Sequence, residues 1–184
     1  MLSRLPTPRL LLRTWHANDL GPFARMNSDP RVMEFFPKLL APSESYEMFT
    51  RITAHFEKHG FGLWAVEIPG VTEFAGFIGL SVPTFEAPFM PCVEIGWRMA
   101  AEYWRKGYAT EGANAAITAG FDLLGLNEIV SFTSPLNVRS VMVMERIGMT
   151  HDPKDDFDHP RVAVGHALRR HVLYRIQKSS QATI

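Results

Sequence analysis

Cysteine is almost absent. Cys92 stands alone in 184 residues, which excludes an internal disulfide and leaves a small packed strand residue as its expected role. No run of about 18 apolar residues and no secretory leader pattern is found, so a cytoplasmic protein with no membrane association is expected. Net charge is missing too: 19 basic and 19 acidic side chains cancel. No overall field therefore draws in nucleic acid or an anionic lipid surface, and neither is an expected partner. His55 and His59 are spaced to share one helix face. The intervening Phe56-Glu57-Lys58 lacks the order of a zinc hydrolase and no third ligand is evident, so no metal is expected. Internal repeats and low-complexity segments are also lacking. What is present, 46% hydrophobic residues with 13 phenylalanines, argues for one packed domain over 1–184, with 178–184 as a flexible tail.

The apolar pattern gives the order of elements. Arg9 to Arg13, bounded upstream by Pro6 and Pro8, reads as a first strand. Asn18 or Asp19 caps a helix reaching about Met26, and Asp29-Pro30 starts a short helix that Pro37 ends. Pro42-Ser43-Glu44 opens a longer helix that Gly60 stops. Phe61–Ile68 and Phe74–Ser81 form a hairpin around Pro69-Gly70. The proline-rich Pro83–Pro91 is a loop placed over a site. Then come a strand Cys92–Met99, a helix Thr110–Leu124, a strand Glu128–Thr133, a helix Val138–Ile147, a loop Asp152–Gly165 and a strand Leu168–Ile176. The fold class is α/β with a mixed sheet, antiparallel in front and alternating behind.

One stretch joins several of these features. A strand ending in Trp97-Arg98-Met99 runs into the basic turn Trp104-Arg105-Lys106-Gly107-Tyr108-Ala109-Thr110, which opens onto a helix. A helix start offers unpaired N–H groups and the positive end of the macrodipole, so it suits phosphate oxygens. Gly107 and Ala109 let a ligand come close to the backbone, and Arg105 and Lys106 add charge.

With Asn137-Val138-Arg139-Ser140 and Glu145-Arg146-Ile147-Gly148-Met149 downstream, and Thr7-Pro8-Arg9-Leu10-Leu11-Leu12-Arg13 upstream, the chain resembles the GNAT N-acetyltransferases. It is similar in particular to the branch containing the ribosomal-protein alanine acetyltransferases. The resemblance implies a mostly antiparallel central sheet with a splayed pair of parallel strands, flanked by helices. It also implies acetyl-CoA as co-substrate, an amine-bearing acceptor (a protein N-terminus or a small amine), and homodimers as an assembly found in the family. Gly107 and Ala109 match the family's pyrophosphate loop, while Trp104 stands where arginine or glutamine is usual. Phosphate contact then falls to N–H groups from Arg105 to Thr110, with the Arg105 side chain helping. By the same resemblance Trp97, Arg98 and Met99 face the pantetheine arm through their backbone, and Asn137 lies near the thioester sulfur.

Amide formation from a thioester needs a neutral amine, a polarised carbonyl and a stabilised leaving thiolate. Glu94, just before the cofactor-facing residues, is the candidate base. A backbone N–H near Trp97 is the candidate for polarising the carbonyl. Where many family members carry a tyrosine acid, this chain has Met144, which has no proton to give. Ser140, one helical turn from Asn137, is the substitute, so the candidate catalytic set is Glu94, Asn137 and Ser140. Phe35, Phe36, Phe85 and Phe89 are core residues or pocket lining, and a substrate contact by His159, His166 or His171 is a further reading. The alternative function is a noncatalytic acyl-CoA-binding or regulatory domain, which Trp104 and Met144 would suit.

Overall fold

The computed structural model describes residues 1–178; all of the expected tail except Lys178 lies outside the described residues. The chain begins with a small hairpin, β1 (Arg4–Pro6) and β2 (Leu11–Arg13). One strand over Arg9–Arg13 was the expectation. Instead Thr7 N–H bonds the carbonyl of Leu10 at 2.9 Å, so Arg9 sits on the turn and is released for a contact elsewhere. Helix α1 (Leu20–Asn27) follows. Asp19 does not cap it with its side chain. Its carboxylate receives both terminal nitrogens of Arg13, at 2.8 and 2.9 Å, and the pair is buried. Arg13 also bonds Glu67 at 3.0 Å and the carbonyl of Glu73 at 2.7 Å, tying β2 to the strand beside it and to the one beyond.

The helix expected from Asp29-Pro30 is a series of turns. Asp29 spends its carboxylate on the backbone and guanidinium of Arg31, a local bond that competes with helix formation. Helix α2 (Pro42–His59) is ended by Gly60 at φ 75°, as its sequence signals required.

The sheet then builds through β3 (Leu63–Ile68), β4 (Thr72–Ser81) and β5 (Glu94–Met99), all antiparallel neighbours. Helix α3 (Tyr108–Asp122) crosses to β6 (Glu128–Thr133), and α4 (Val138–Arg146) leads to β7 (Thr150–His151), β8 (Phe157–Asp158) and β9 (Arg170–Gln177). The strand order is β1-β2-β3-β4-β5-β6-β9-β7, with β8 on β9. Among the described residues only β5 and β6 are parallel, and they pair at a single position, Glu94 with Val130. The sheet is thus α/β, mostly antiparallel, and splayed at its one parallel pair.

Alternation sorts the side chains of β4 and β5 between two faces. Ile78 and its partner Trp97 belong to the α3 face; a Cβ on Gly112 of α3 would meet the Ile78 side chain. Phe77 and its partner Arg98 belong to the other face, where Phe77 lies 6.0 Å from Phe23 of α1. One hydrophobic core includes Leu12, Phe23, Trp64, Ile78, Ile95, Ala116, Ile129 and Met144. No helix among the described residues is long and apolar enough to cross a membrane.

Candidate active site

Beyond Glu94, β5 parts from β6 and a cleft of about 1150 Å³ opens between them. Backbone direction within β5 follows from two bonds. Val93 gives its carbonyl to Val130 N–H on the β6 side, while Ala100 N–H bonds Ala75 on the β4 side. Alternation then turns the N–H and C=O of Trp97 into the gap. Met99 has its carbonyl on the same side, where it accepts the indole N–H of Trp104 at 2.8 Å.

The gap leads to the start of α3. Gly107 is in the left-handed region at φ 80°, Arg105 at φ 61°, and the first helical bond runs from Glu111 N–H to Gly107 C=O. The N–H groups of Tyr108, Ala109 and Thr110 precede that bond and are left for a ligand, since no side chain caps the helix. Gly107, Tyr108, Ala109, Thr110 and Arg105 all line the cleft. Lys106 is directed instead toward Tyr103, its ammonium 5.6 Å from the ring centre.

Four bonds that the sequence did not signal hold this turn. Arg9 reaches the Lys106 carbonyl at 2.9 Å and pairs with Glu111 at 2.6 Å, while Thr7 and the Arg9 N–H bond the other Glu111 oxygen. Glu111 is thereby held below the ordinary carboxylate range by the Thr7 and Arg9 bonds, against the opposing push of burial. Trp104, the departure from the family pattern, acts through its indole bond to β5 and its ring face, over which Arg139 lies at 4.6 Å.

On the far side of the gap Asn137 caps α4, as its helix position required. Its Oδ1 accepts Ser140 N–H at 3.3 Å, and its Nδ2 donates to Ser140 Oγ and Thr133 Oγ1, each at 3.1 Å. Both N–H groups of the amide are engaged, and its oxygen accepts one bond. Ser140 Oγ accepts from it and keeps its own O–H with no acceptor among the described residues, so a proton donor is turned loose beside the cleft. Met144 is 1% exposed and belongs to the core. A methionine there replaces a hydroxyl with packing.

Glu94 is set at the closed end of the gap, opposite Ser81 across the β4–β5 ladder. Burial pushes its carboxyl up to about 8, moderated by a hydrogen bond from Ser81. Such a group exchanges protons near neutral pH, as a general base must. The structure thus brings Glu94, Trp97, Arg98, Met99, Asn137 and Ser140 together along one cleft with the α3 turn, but Arg98 enters it by its side chain: its N–H and C=O are turned to β4, against the expectation that its backbone faces the pantetheine arm.

Phe35 and Phe36 line this cleft, whereas Phe85 and Phe89 pack with Phe132 and Phe157 in a separate cluster. Arg161 ties that region down by bonding the Thr84 carbonyl and hydroxyl at 2.9 and 2.7 Å. Of the late histidines, His159 and His171 reach the cleft, with ring centres 4.9 Å apart. Burial lowers both, His159 to about 4, so both are neutral at pH 7. His55 bonds the Phe61 carbonyl through Nδ1 and accepts Val82 N–H at Nε2; both nitrogens are spent on structure. Burial raises the Cys92 thiol to about 11, far from a nucleophile's range.

The acetyltransferase (GNAT) domain model matches residues 9–150. An Aspergillus fumigatus protein named FsC-acetyl coenzyme A-N(2)-transacetylase is 31% identical over 170 residues, covering 85% of this chain and 72% of that one. A Bacillus subtilis uncharacterized N-acetyltransferase, YnaD, is 27% identical over 80% of this chain and 83% of its own. Among solved structures, an acetyltransferase from Agrobacterium tumefaciens superposes with a TM-score of 0.77 at 26% identity, covering 97% of this chain and 96% of that one. The fold is shared as well with the RimL ribosomal L7/L12 alpha-N-protein acetyltransferase, with a TM-score of 0.75 at 15% identity over 95% of this chain and 98% of that chain. With a matching domain model over most of its length and a cleft built around a splayed strand pair, this chain belongs to the GNAT acetyltransferases and is an N-acetyltransferase.

Proposed function

We propose that the chain works as one domain that moves the acetyl group of acetyl-CoA to a primary amine on a protein N-terminus or a small molecule. The pyrophosphate binds at the N–H groups of Tyr108, Ala109 and Thr110 with help from Arg105. The pantetheine arm lies along Trp97–Met99 in the gap, and the thioester carbonyl takes the Trp97 N–H. Glu94, directly or through a water, accepts the proton of the attacking amine; nitrogen bonds to the carbonyl carbon and the C–S bond breaks. Ser140 donates to the leaving sulfur, and Asn137 holds Ser140 in place. The Aspergillus relative's printed name supports both an acetyl coenzyme A donor and a nitrogen acceptor. A cytoplasmic site of action fits such a donor.

The observation that carries this reading is the gap between β5 and β6 that runs from Glu94 to an uncapped α3 turn. Thiol release from acetyl-CoA, followed over a panel of N-terminal ribosomal peptides, polyamines, aminoglycosides and amino acids, tests it. Turnover with at least one amine is expected. Tight coenzyme A binding with no turnover on any of them would instead mark a binding domain.

A further inference from the structure

The chain has no net charge, and its cleft is lined by Arg31, Arg98, Arg105, Arg139, Arg146 and Arg161 against one carboxylate, Glu94; just outside that lining, Arg31 is paired with Asp29 and Arg139 with Glu34. Most of these arginines lie at the surface. Arg98 is different, since it is buried to 9% exposure on the α1–α2 face of β5, away from the α3 turn. Its guanidinium is placed between Phe36 and Phe77, 4.1 and 5.3 Å from their ring centres. Nη1 donates to Asn27 Oδ1 at 2.6 Å, and Asn27 is itself fixed by Ser45 at 3.1 Å.

No carboxylate balances this charge among the described residues; burial alone acts on it, lowering its pKa to about 10 and leaving it a cation at neutral pH. Nε is buried without an acceptor among the described residues, and Nη2 makes no protein hydrogen bond there. These two nitrogens form the side-on fork that fits a carboxylate with two parallel bonds. An unbalanced buried cation is costly in general, and one amide with two ring faces offsets only part of that cost. Glu94 lies on the same strand face, four residues away, roughly 13 Å between Cα atoms.

Building on the acetyl-transfer reading above, we propose that the Nε–Nη2 edge of Arg98 receives a carboxylate of the acceptor, so that the acetylated molecule is an amino acid, carrying its amine toward Glu94 and its carboxylate toward Arg98. A polyamine or aminoglycoside, all cationic, is the wrong charge for this cleft.

Calorimetry on the coenzyme A-saturated protein, with amino acids of increasing amine-to-carboxylate separation each set beside its carboxamide, tests this without requiring turnover. At least one acid should bind about 10-fold or more tightly than its amide, as a charge-assisted double hydrogen bond warrants. That ratio should collapse toward one in Arg98→Met and fall in Asn27→Asp, which keeps Arg98 but gives it an internal counter-charge. A structural role for Arg98 would lower affinity for acid and amide alike and leave the ratio standing. Equal binding of acids and amides, no binding of any acid, or a preference that survives Arg98→Met overturns the proposal. If acids bind through Arg98 but no amine is acetylated, the acetyl-transfer reading fails and the carboxylate site stands.

Discussion

Ser140 accepts a hydrogen bond from Asn137 and has its own proton left over, which makes it a candidate donor in the cleft where Met144 has none. Removing it should cost less than removing a strong acid, because a thiolate leaves tolerably unprotonated. Ser140→Ala should lower kcat by about 10- to 100-fold, at or below the foot of the range for a lost proton donor, with little change in the KM for acetyl-CoA. Steady-state kinetics showing full kcat would remove Ser140 from the reaction. Glu94 gives a pH test. With its carboxyl pushed up to about 8, the carboxylate form required of a base is the minor one at pH 7 and grows as pH rises. An alkylamine acceptor with a pKa of about 10 must also lose a proton, so log kcat/KM should climb with a slope of about two below pH 8 and about one above it. Glu94→Gln should reduce kcat/KM by about 100-fold or more and leave a slope of about one throughout. An unchanged bend near pH 8 in that variant would assign the ionisation to another group.

The α3 turn shows what an element adds beyond its residues. Gly107 holds a left-handed conformation, and a Cβ there would crowd the Arg9 guanidinium at 3.3 Å. Gly107→Val should raise the KM for acetyl-CoA by about 10-fold, since a left-handed L residue costs about 1–2 kcal/mol and that strain is relieved by deforming the N–H cradle. A KM unchanged in initial-rate measurements would move the phosphate site elsewhere. This turn was legible in the sequence because glycine, a basic pair and an alanine-rich helix are local signals. Helix α2 and the β3–β4 hairpin were legible for the same reason, their stops being Gly60 and Pro69-Gly70. The hold of Arg9 on Glu111 was not, because it joins residues about a hundred positions apart. Likewise Asp19 reads as a cap in sequence, and only the fold reveals Arg13 as its partner. The cleft lining divided similarly. Asn137 was named by its family resemblance and Ser140 by its spacing one helical turn away, whereas the buried fork of Arg98 depends on Asn27, Phe36 and Phe77 converging from three segments.

Across the whole molecule, the sheet is continuous in hydrogen bonds except at the β5–β6 junction, where one pairing must join five strands to the rest. Packing supplies the remaining connection, since Ile129 and Met144 share a core with residues of α3 and of the first five strands. A cofactor arm laid in the gap would replace missing ladder bonds between the two parts, and its phosphates would engage the α3 start. Coenzyme A should therefore stabilise the fold by more than its phosphates alone. At about 100 times its Kd the gain is about 2.7 kcal/mol, which for a chain of this size corresponds to a Tm rise of roughly 5–11 °C. Pantetheine, which reaches the gap without the phosphates, and adenosine 3′,5′-bisphosphate, which lacks the arm, should each give less at equal concentration. Hydrogen exchange should localise the effect, with protection rising at Trp97 and Met99 on β5 and at Ser131 to Thr133 on β6 when coenzyme A is added. A Tm rise with no added protection on these two strands would mean that the ligand is held at the α3 turn alone, and the gap would lose its assigned role.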